Sequence, residues 1–118
     1  MSLKEKILIA DDSEMNQMLL EEILSDKYEY VMAKDGTEAV DILEKNDDID
    51  LVMLDINMPK MDGFGVLEIM NLRHWISEVP VIIISSESDV DFIRRGYDLG
   101  ASDYISRPFD LTVVRRRV

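Results

Sequence analysis

Three short runs of this chain are apolar without a break: Ile7-Leu8-Ile9-Ala10 after Lys6, Leu51-Val52-Met53-Leu54, and Val81-Ile82-Ile83-Ile84. Successive side chains of a strand point to opposite faces, so a strand with one wet face alternates apolar and polar residues. Runs that do not alternate belong to strands covered on both faces, the usual condition of a parallel sheet. They are far too short to cross a bilayer, which takes about 20 apolar residues in a helix. Tyr28 to Ala33 reads as a weaker strand and Asp103 to Ser106 as a short one.

The segments between these runs carry helical patterns. Met15, Met18, Leu19 and Ile23 form one stripe, with Glu14, Gln17, Glu21 and Glu22 among them. Ala39, Val40, Ile42 and Leu43 form a second, opened by the turn residues Asp35-Gly36-Thr37. Val66, Leu67, Ile69 and Met70 form a third. Val90, Ile93 and Tyr97 form a fourth, with Leu99 also read as core and Gly100 as the C-terminal stop. A fifth begins near Leu111 and is cut off by the end of the chain. Strand and helix alternate five times, which predicts an α/β fold: a doubly wound, five-stranded parallel sheet with helices on both faces. No Pro/Gly/Ser-rich linker and no internal repeat divides the chain, so residues 1–118 read as a single domain.

Composition narrows the function classes. With 47% hydrophobic and 32% charged residues, the chain has the balance of a packed domain rather than a disordered one. It has no cysteine, so neither a disulfide framework nor a thiolate metal site is available. The first residues, Met1-Ser2-Leu3-Lys4-Glu5-Lys6, lack the apolar core of a signal peptide, and a cytoplasmic location is the expectation. The net charge is −12, and residues 1–62 alone carry −11. Such acidity disfavours binding to nucleic acid. Arg115-Arg116-Arg117 do not reverse this, because cations in the last turn of a helix suit the helix dipole and no aromatic residues are interleaved with them.

In open parallel α/β sheets, ligands bind beyond the carboxyl ends of the strands. The first strand ends in Asp11-Asp12, the third in Asp55 followed by Ile56-Asn57-Met58-Pro59, the fourth in Ser85-Ser86, and the fifth in Arg107-Pro108. Each has an ordinary structural use. Asp11 and Asp12 could cap the next helix, Asn57-Met58-Pro59 and Met61-Asp62-Gly63 could be turns, the serines loop hydroxyls, and Arg107 a surface cation. Asp62-Gly63 is best read as turn chemistry alone. The convergence of three carboxylates, a hydroxyl pair and a cation on one rim is harder to explain structurally. Carboxylates crowded together repel unless a cation neutralises them, and hard oxygen ligands suit Mg²⁺. A carboxylate beside that ion can attack phosphorus, giving an aspartyl phosphate, with the metal and a second cation stabilising the equatorial oxygens. Ser85 could hydrogen-bond one of them.

These residues, in this order, resemble the response-regulator receiver domain of two-component signalling. The matching pieces are Ile7-Leu8-Ile9-Ala10-Asp11-Asp12, Asp35-Gly36, Leu54-Asp55-Ile56-Asn57-Met58-Pro59 with Met61-Asp62-Gly63, Pro80 to Ser86, and Gly100-Ala101-Ser102-Asp103-Tyr104-Ile105-Ser106-Arg107-Pro108-Phe109. The match runs from about Lys6 to the end. The resemblance implies the flavodoxin-like receiver fold with its last helix truncated. It implies Asp55 as phosphoacceptor, and Mg²⁺ held by Asp11, Asp12, Asp55 and the backbone carbonyl of Asn57. It also implies Ser85 as a switch hydroxyl and Tyr104 as an aromatic that turns inward with it. The phosphoryl donor would be a histidine kinase, a phosphotransfer protein or a small phosphodonor. The face formed by the fourth helix, fifth strand and fifth helix would meet an output domain or partner protein, and such a face can support a homodimer. Direct nucleic-acid binding and membrane association are not implied. Because the chain stops nine residues after Phe109, the expectation is the N-terminal part of a longer protein whose output module is missing.

One position departs from the family pattern: Arg107 stands where a lysine is usual. Arginine is a planar five-donor fork, lysine a compact point charge, so charge is kept and geometry is not. The alternative that follows is a pseudo-receiver, an interaction module that does not use phosphate. Ser86 and Glu87 follow the switch hydroxyl, and Glu87 and Asn57 occupy positions that in this family tune the lifetime of the phosphoryl group. An aspartate-nucleophile phosphatase would need a second Asp two residues after Asp55, where Asn57 stands. A flavodoxin-like cofactor binder would need a Gly/Ser/Thr-rich loop after the first strand, where Asp11-Asp12-Ser13-Glu14 stand. The one histidine, His74, reads as a surface residue at a helix end, which leaves Ser/His/Asp hydrolysis unsupported.

Overall fold

The apolar runs become the central strands of one sheet in the computed structural model, which describes residues 5–24, 28–85 and 90–106, with backbone alone for Leu24 and Ser106. Ser86, Glu87, Arg107, the expected fifth helix and Arg115 to Arg117 lie outside the described residues. In chain order the elements are β1 (Glu5–Ala10), α1 (Glu14–Leu24), β2 (Tyr28–Ala33), α2 (Gly36–Lys45), β3 (Leu51–Asp55), α3 (Gly63–Leu72), a 3₁₀ turn (Trp75–Ser77), β4 (Val81–Ser85), α4 (Val90–Asp98) and β5 (Asp103–Ser106). The five strands are all parallel and ordered β2-β1-β3-β4-β5. None of the described helices is long and apolar enough to cross a membrane.

Strand alternation sorts the apolar runs into two buried layers. Leu8, Ala10, Val52, Leu54, Val81 and Ile83 pack with Ala39 and Leu43 of α2 and with Val66, Leu67 and Met70 of α3. Ile7, Ile9, Met53, Ile82, Ile84 and Ile105 form the opposite layer with Leu20 and Ile23 of α1. Burial on both faces is therefore why β1, β3 and β4 are apolar without a break.

The helix ends follow from local chemistry. Asp35 caps α2 by accepting from the Glu38 N–H at 2.8 Å, and Asp62 caps α3 by accepting from the Gly65 N–H at 2.8 Å. Asp62 thus does more than turn the chain. At the end of α4 the Gly100 N–H donates to Tyr97 O and the Ala101 N–H to Gly96 O, both at 3.0 Å, with Gly100 at φ +102°. This is the paired-bond stop in which glycine takes the left-handed position.

Two expected stripes are buried only in part. On α1, Ile23 is buried as expected, but Met15, Met18 and Leu19 are exposed and Leu20 is buried in their place. On α4, Ile93 is half-buried and Leu99, just past its end, packs against the core, but Val90 and Tyr97 are exposed and the fully buried residue is Gly96. An added Cβ on Gly96 would stand 2.4 Å from Ile83 Cδ1 and 4.0 Å from Tyr104 Cδ2, so α4 lies close on the sheet at a residue with no side chain. His74 is exposed just past α3, as its sequence context indicates.

Candidate functional site

The strand order reverses between β1 and β3, which leave the sheet as neighbours. This switch point is where an open α/β sheet forms its ligand crevice. Ala10 pairs with Leu54, so the next residues, Asp11 and Asp55, emerge side by side at the carboxyl edge. Asp11 and Asp55 are buried and Asp12 is exposed. One carboxylate oxygen from each of the three lies within 4.8 Å of the others. Two buried acids and one at the rim make a cup of hard oxygen donors open on one side. That donor set fits a divalent cation of the Mg²⁺ kind, which takes a few carboxylates and keeps several waters.

Local hydrogen bonds hold the cup. The Ser13 N–H donates to Asp11 Oδ1 at 2.9 Å, and the Ser13 hydroxyl accepts from the Asn16 N–H at 3.3 Å. Ser13, rather than Asp11 or Asp12, thus takes the capping position of α1. The Asp11 N–H donates to Ala33 O at 3.0 Å, and the Gln17 amide donates to Asp11 O at 2.5 Å. Gln17, a polar residue among glutamates on a helix, gives no signal of its own in the sequence.

The loop after β3 is clamped at both ends. The Asn57 N–H points at Asp55 Oδ1 at 3.4 Å, with the Asn57 side chain exposed. The Gly63 N–H donates to Ile56 O at 2.8 Å, and the Gly36 N–H to Met61 O at 3.1 Å. Between them the Met61 N–H reaches Pro59 O at 2.7 Å, with Lys60 at φ 67°, and Lys60 Nζ stands 3.8 Å from Asp35 Oδ2. Gly36 and Gly63, both absent from the expected site, admit these close approaches because they lack a Cβ.

The remaining expected residues take distinct places. Ser85 is fully buried at the end of β4, one residue past Ile84, the register partner of Asp55. Tyr104 is half-buried on β5 opposite Ile83. Val81, Ile83 and Ser85 share a strand face by alternation, and Tyr104 joins the same core layer, so both lie on the side covered by α4. Arg107 lies outside the described residues.

Known proteins share this fold. The response regulator receiver domain family matches residues 7–118. A probable transcriptional regulator ycf27 of Porphyridium aerugineum is 40% identical over 98% of the chain, and response regulator RR06 of Streptococcus pneumoniae is 38% identical over 95%. The chain spans about half the length of these relatives, 47% and 50%. Among solved structures, the chemotaxis protein CheY4 of Vibrio cholerae superposes with a TM-score of 0.88 at 26% identity, covering 97% of this chain and 95% of that one. The CheX–CheY–BeF3–Mg complex of Borrelia burgdorferi gives 0.84 at 33% identity, covering 95% and 84%. Fold, switch point and matched residues lead to one conclusion: this chain belongs to the response regulator receiver domain family, whose members are phosphorylation-dependent signalling modules rather than classical enzymes.

Proposed function

We propose that Asp55 accepts a phosphoryl group from a histidine kinase, a phosphotransfer protein or a small phosphodonor. The observation that carries this reading is the meeting of the Asp11, Asp12 and Asp55 carboxylates within 4.8 Å at the switch point of the sheet. An Asp55 oxygen attacks phosphorus, the bond from phosphorus to the donor breaks, and the donor leaves with that electron pair. Asp11, Asp12, Asp55 and the backbone carbonyl of Asn57 would hold Mg²⁺, which supplies charge neutralisation at the transferring oxygens. The buried Ser85 hydroxyl would donate to one phosphoryl oxygen and Arg107 would supply the second cation.

Ser85 and Tyr104 lie on the sheet face that α4 covers, which supports a switch read out at α4 and β5. Movement of Ser85 toward phosphate frees space beside Ile83, into which the Tyr104 ring can turn. The exposed Asp91 and Arg94 would then contact an output domain or partner protein. A fifth-helix contribution to that face lies outside the described residues.

Incubation with acetyl phosphate and Mg²⁺, followed by intact mass, tests the reading. Wild type is expected to gain one phosphoryl group, Asp55→Asn none, and Arg107→Gln to gain it more slowly. No gain in wild type, or an equal gain in Asp55→Asn, would contradict it.

A further inference from the structure

The first turn of α3 is rigidly tied to Asp55. A Cβ on Gly63 would stand 2.4 Å from Asp55 O and 2.9 Å from Ile56 Cα, so the two backbones are in direct contact. The Gly63 N–H bond to Ile56 O and the Asp62 cap on Gly65 fix the same turn from both sides. These contacts pin both ends of the loop that carries Asn57, Ile56 at one and Gly63 at the other.

The next residue, Phe64, is 2% exposed and carries two groups from α4. The Phe92 ring stacks on it with centroids 5.8 Å apart and planes 26° apart. The Arg95 guanidinium lies over the same ring at 4.2 Å and reaches Glu68 of α3 at 3.6 Å. Stacked rings and a cation over an aromatic face are favourable, directional contacts, lost when the partners slide apart. Among the described residues of α4, the one fully buried is the side-chain-free Gly96, while Ile93 is half-buried and Val90 and Tyr97 are exposed. An open surface pocket of about 150 Å³ lined by Phe64, Asp91, Phe92 and Arg95 adjoins the stack and leaves the Phe92 ring room to move.

We propose that Phe64, Phe92 and Arg95 form a latch through which the position of α4 is coupled to the Asp55 loop. Phe64 is the fixed half, locked to the site through Gly63. Phe92 and Arg95 are the movable half, leaving or re-seating as α4 shifts. The latch is a second route to α4, separate from the Tyr104–Gly96 contact. Its role in signalling rests on Asp55 being the phosphoacceptor.

The test uses ¹⁵N-labelled wild type, Phe92→Leu and Arg95→Gln, both substitutions falling on exposed side chains. Amide spectra are recorded with Mg²⁺ alone and then with acetyl phosphate, with intact mass in parallel. In wild type, phosphorylation is expected to shift amides in the loop (Asn57, Gly63) and in α4 (Asp91 to Arg95). In both variants the mass gain and the loop shifts should persist, and the α4 shifts should fall to less than half. Variants whose α4 responds as fully as wild type would overturn the latch. If wild type gains no mass, the phosphoacceptor reading fails, and the phosphate-free spectra decide the latch: Phe92→Leu must still move the Gly63 and Asn57 amides, and unmoved amides would overturn it.

Discussion

Gly63 packs its backbone directly on the carbonyl of Asp55, with no room for a methyl group between them: a Cβ there would stand 2.4 Å from Asp55 O. The neighbouring atoms are backbone on a buried strand end, which cannot yield as a flexible side chain would. Gly63→Ala must push the start of α3 away from β3 and distort the loop after Asp55. The expected cost is about 1–3 kcal/mol, that of overpacking a filled site, read as a lower urea midpoint. Slower phosphorylation by acetyl phosphate should accompany it. An unchanged midpoint and rate would show that the contact constrains nothing.

The cap of α3 should matter for stability more than for chemistry. Asp62 accepts from the Gly65 N–H, so Asp62→Ala leaves a helix donor without that partner and is expected to cost about 1 kcal/mol. Asp62→Asn keeps the acceptor and should lose much less. Equal losses in urea titrations of the two variants would mean that the cap contributes nothing beyond charge.

The acid cup predicts a conflict between stability and function. Without a divalent cation, three carboxylates within 4.8 Å repel one another, so Asp12→Asn should raise stability by about 1 kcal/mol, discounted for the exposure of Asp12. With Mg²⁺ the order should reverse. Wild type gains as the ion binds the folded state, about 2.7 kcal/mol at a hundred times the dissociation constant, and Asp12→Asn gains less. Thermal unfolding with Mg²⁺ and with EDTA measures both. A wild type indifferent to Mg²⁺ would contradict the metal site.

The far side of the sheet provides a pH test independent of the site. Lys6 Nζ bonds Asp48 Oδ2 at 2.5 Å, and this hydrogen bond holds the Asp48 carboxyl below the ordinary carboxylate range and raises the Lys6 ammonium above its own. The depressed carboxyl adds stability above its unfolded-state value and loses it as pH falls through the folded value. The raised ammonium adds stability below its unfolded-state value and loses it as pH rises through the folded value. The pair therefore contributes through the neutral range and fades at both extremes. The urea midpoint of wild type should exceed that of Asp48→Asn by a small margin near neutrality, and the two should converge in acid. A pH-independent difference would exclude the pair as its cause.

The sheet was readable from sequence because runs such as Val81 to Ile84 are short, rich in β-branched residues and bounded by turn signals, which favours strands buried on both faces over buried helix. The clustering of Asp11, Asp12 and Asp55 was readable because all three fall at the ends of such strands. The orientation of α1 was not. Leu19 and Leu20 are adjacent on a helix with apolar residues on more than one side, and periodicity alone does not say which side meets the sheet. The α4 contact was hidden for another reason. Helix and sheet meet there at Gly96, and a glycine carries no hydrophobic signal however closely it packs. The Phe64–Phe92 stack joins residues far apart in sequence on two helices, so no local pattern announces it.

The most direct measurement traps the acceptor itself. Protein phosphorylated with acetyl phosphate and Mg²⁺ is reduced with borohydride, which converts an aspartyl phosphate to homoserine, and the residue is located by peptide mass spectrometry. Homoserine at position 55, and at neither 11 nor 12, is the expected result. Homoserine at Asp11 or Asp12, or at no aspartate in protein that has gained the phosphoryl mass, would contradict Asp55 as the phosphoacceptor.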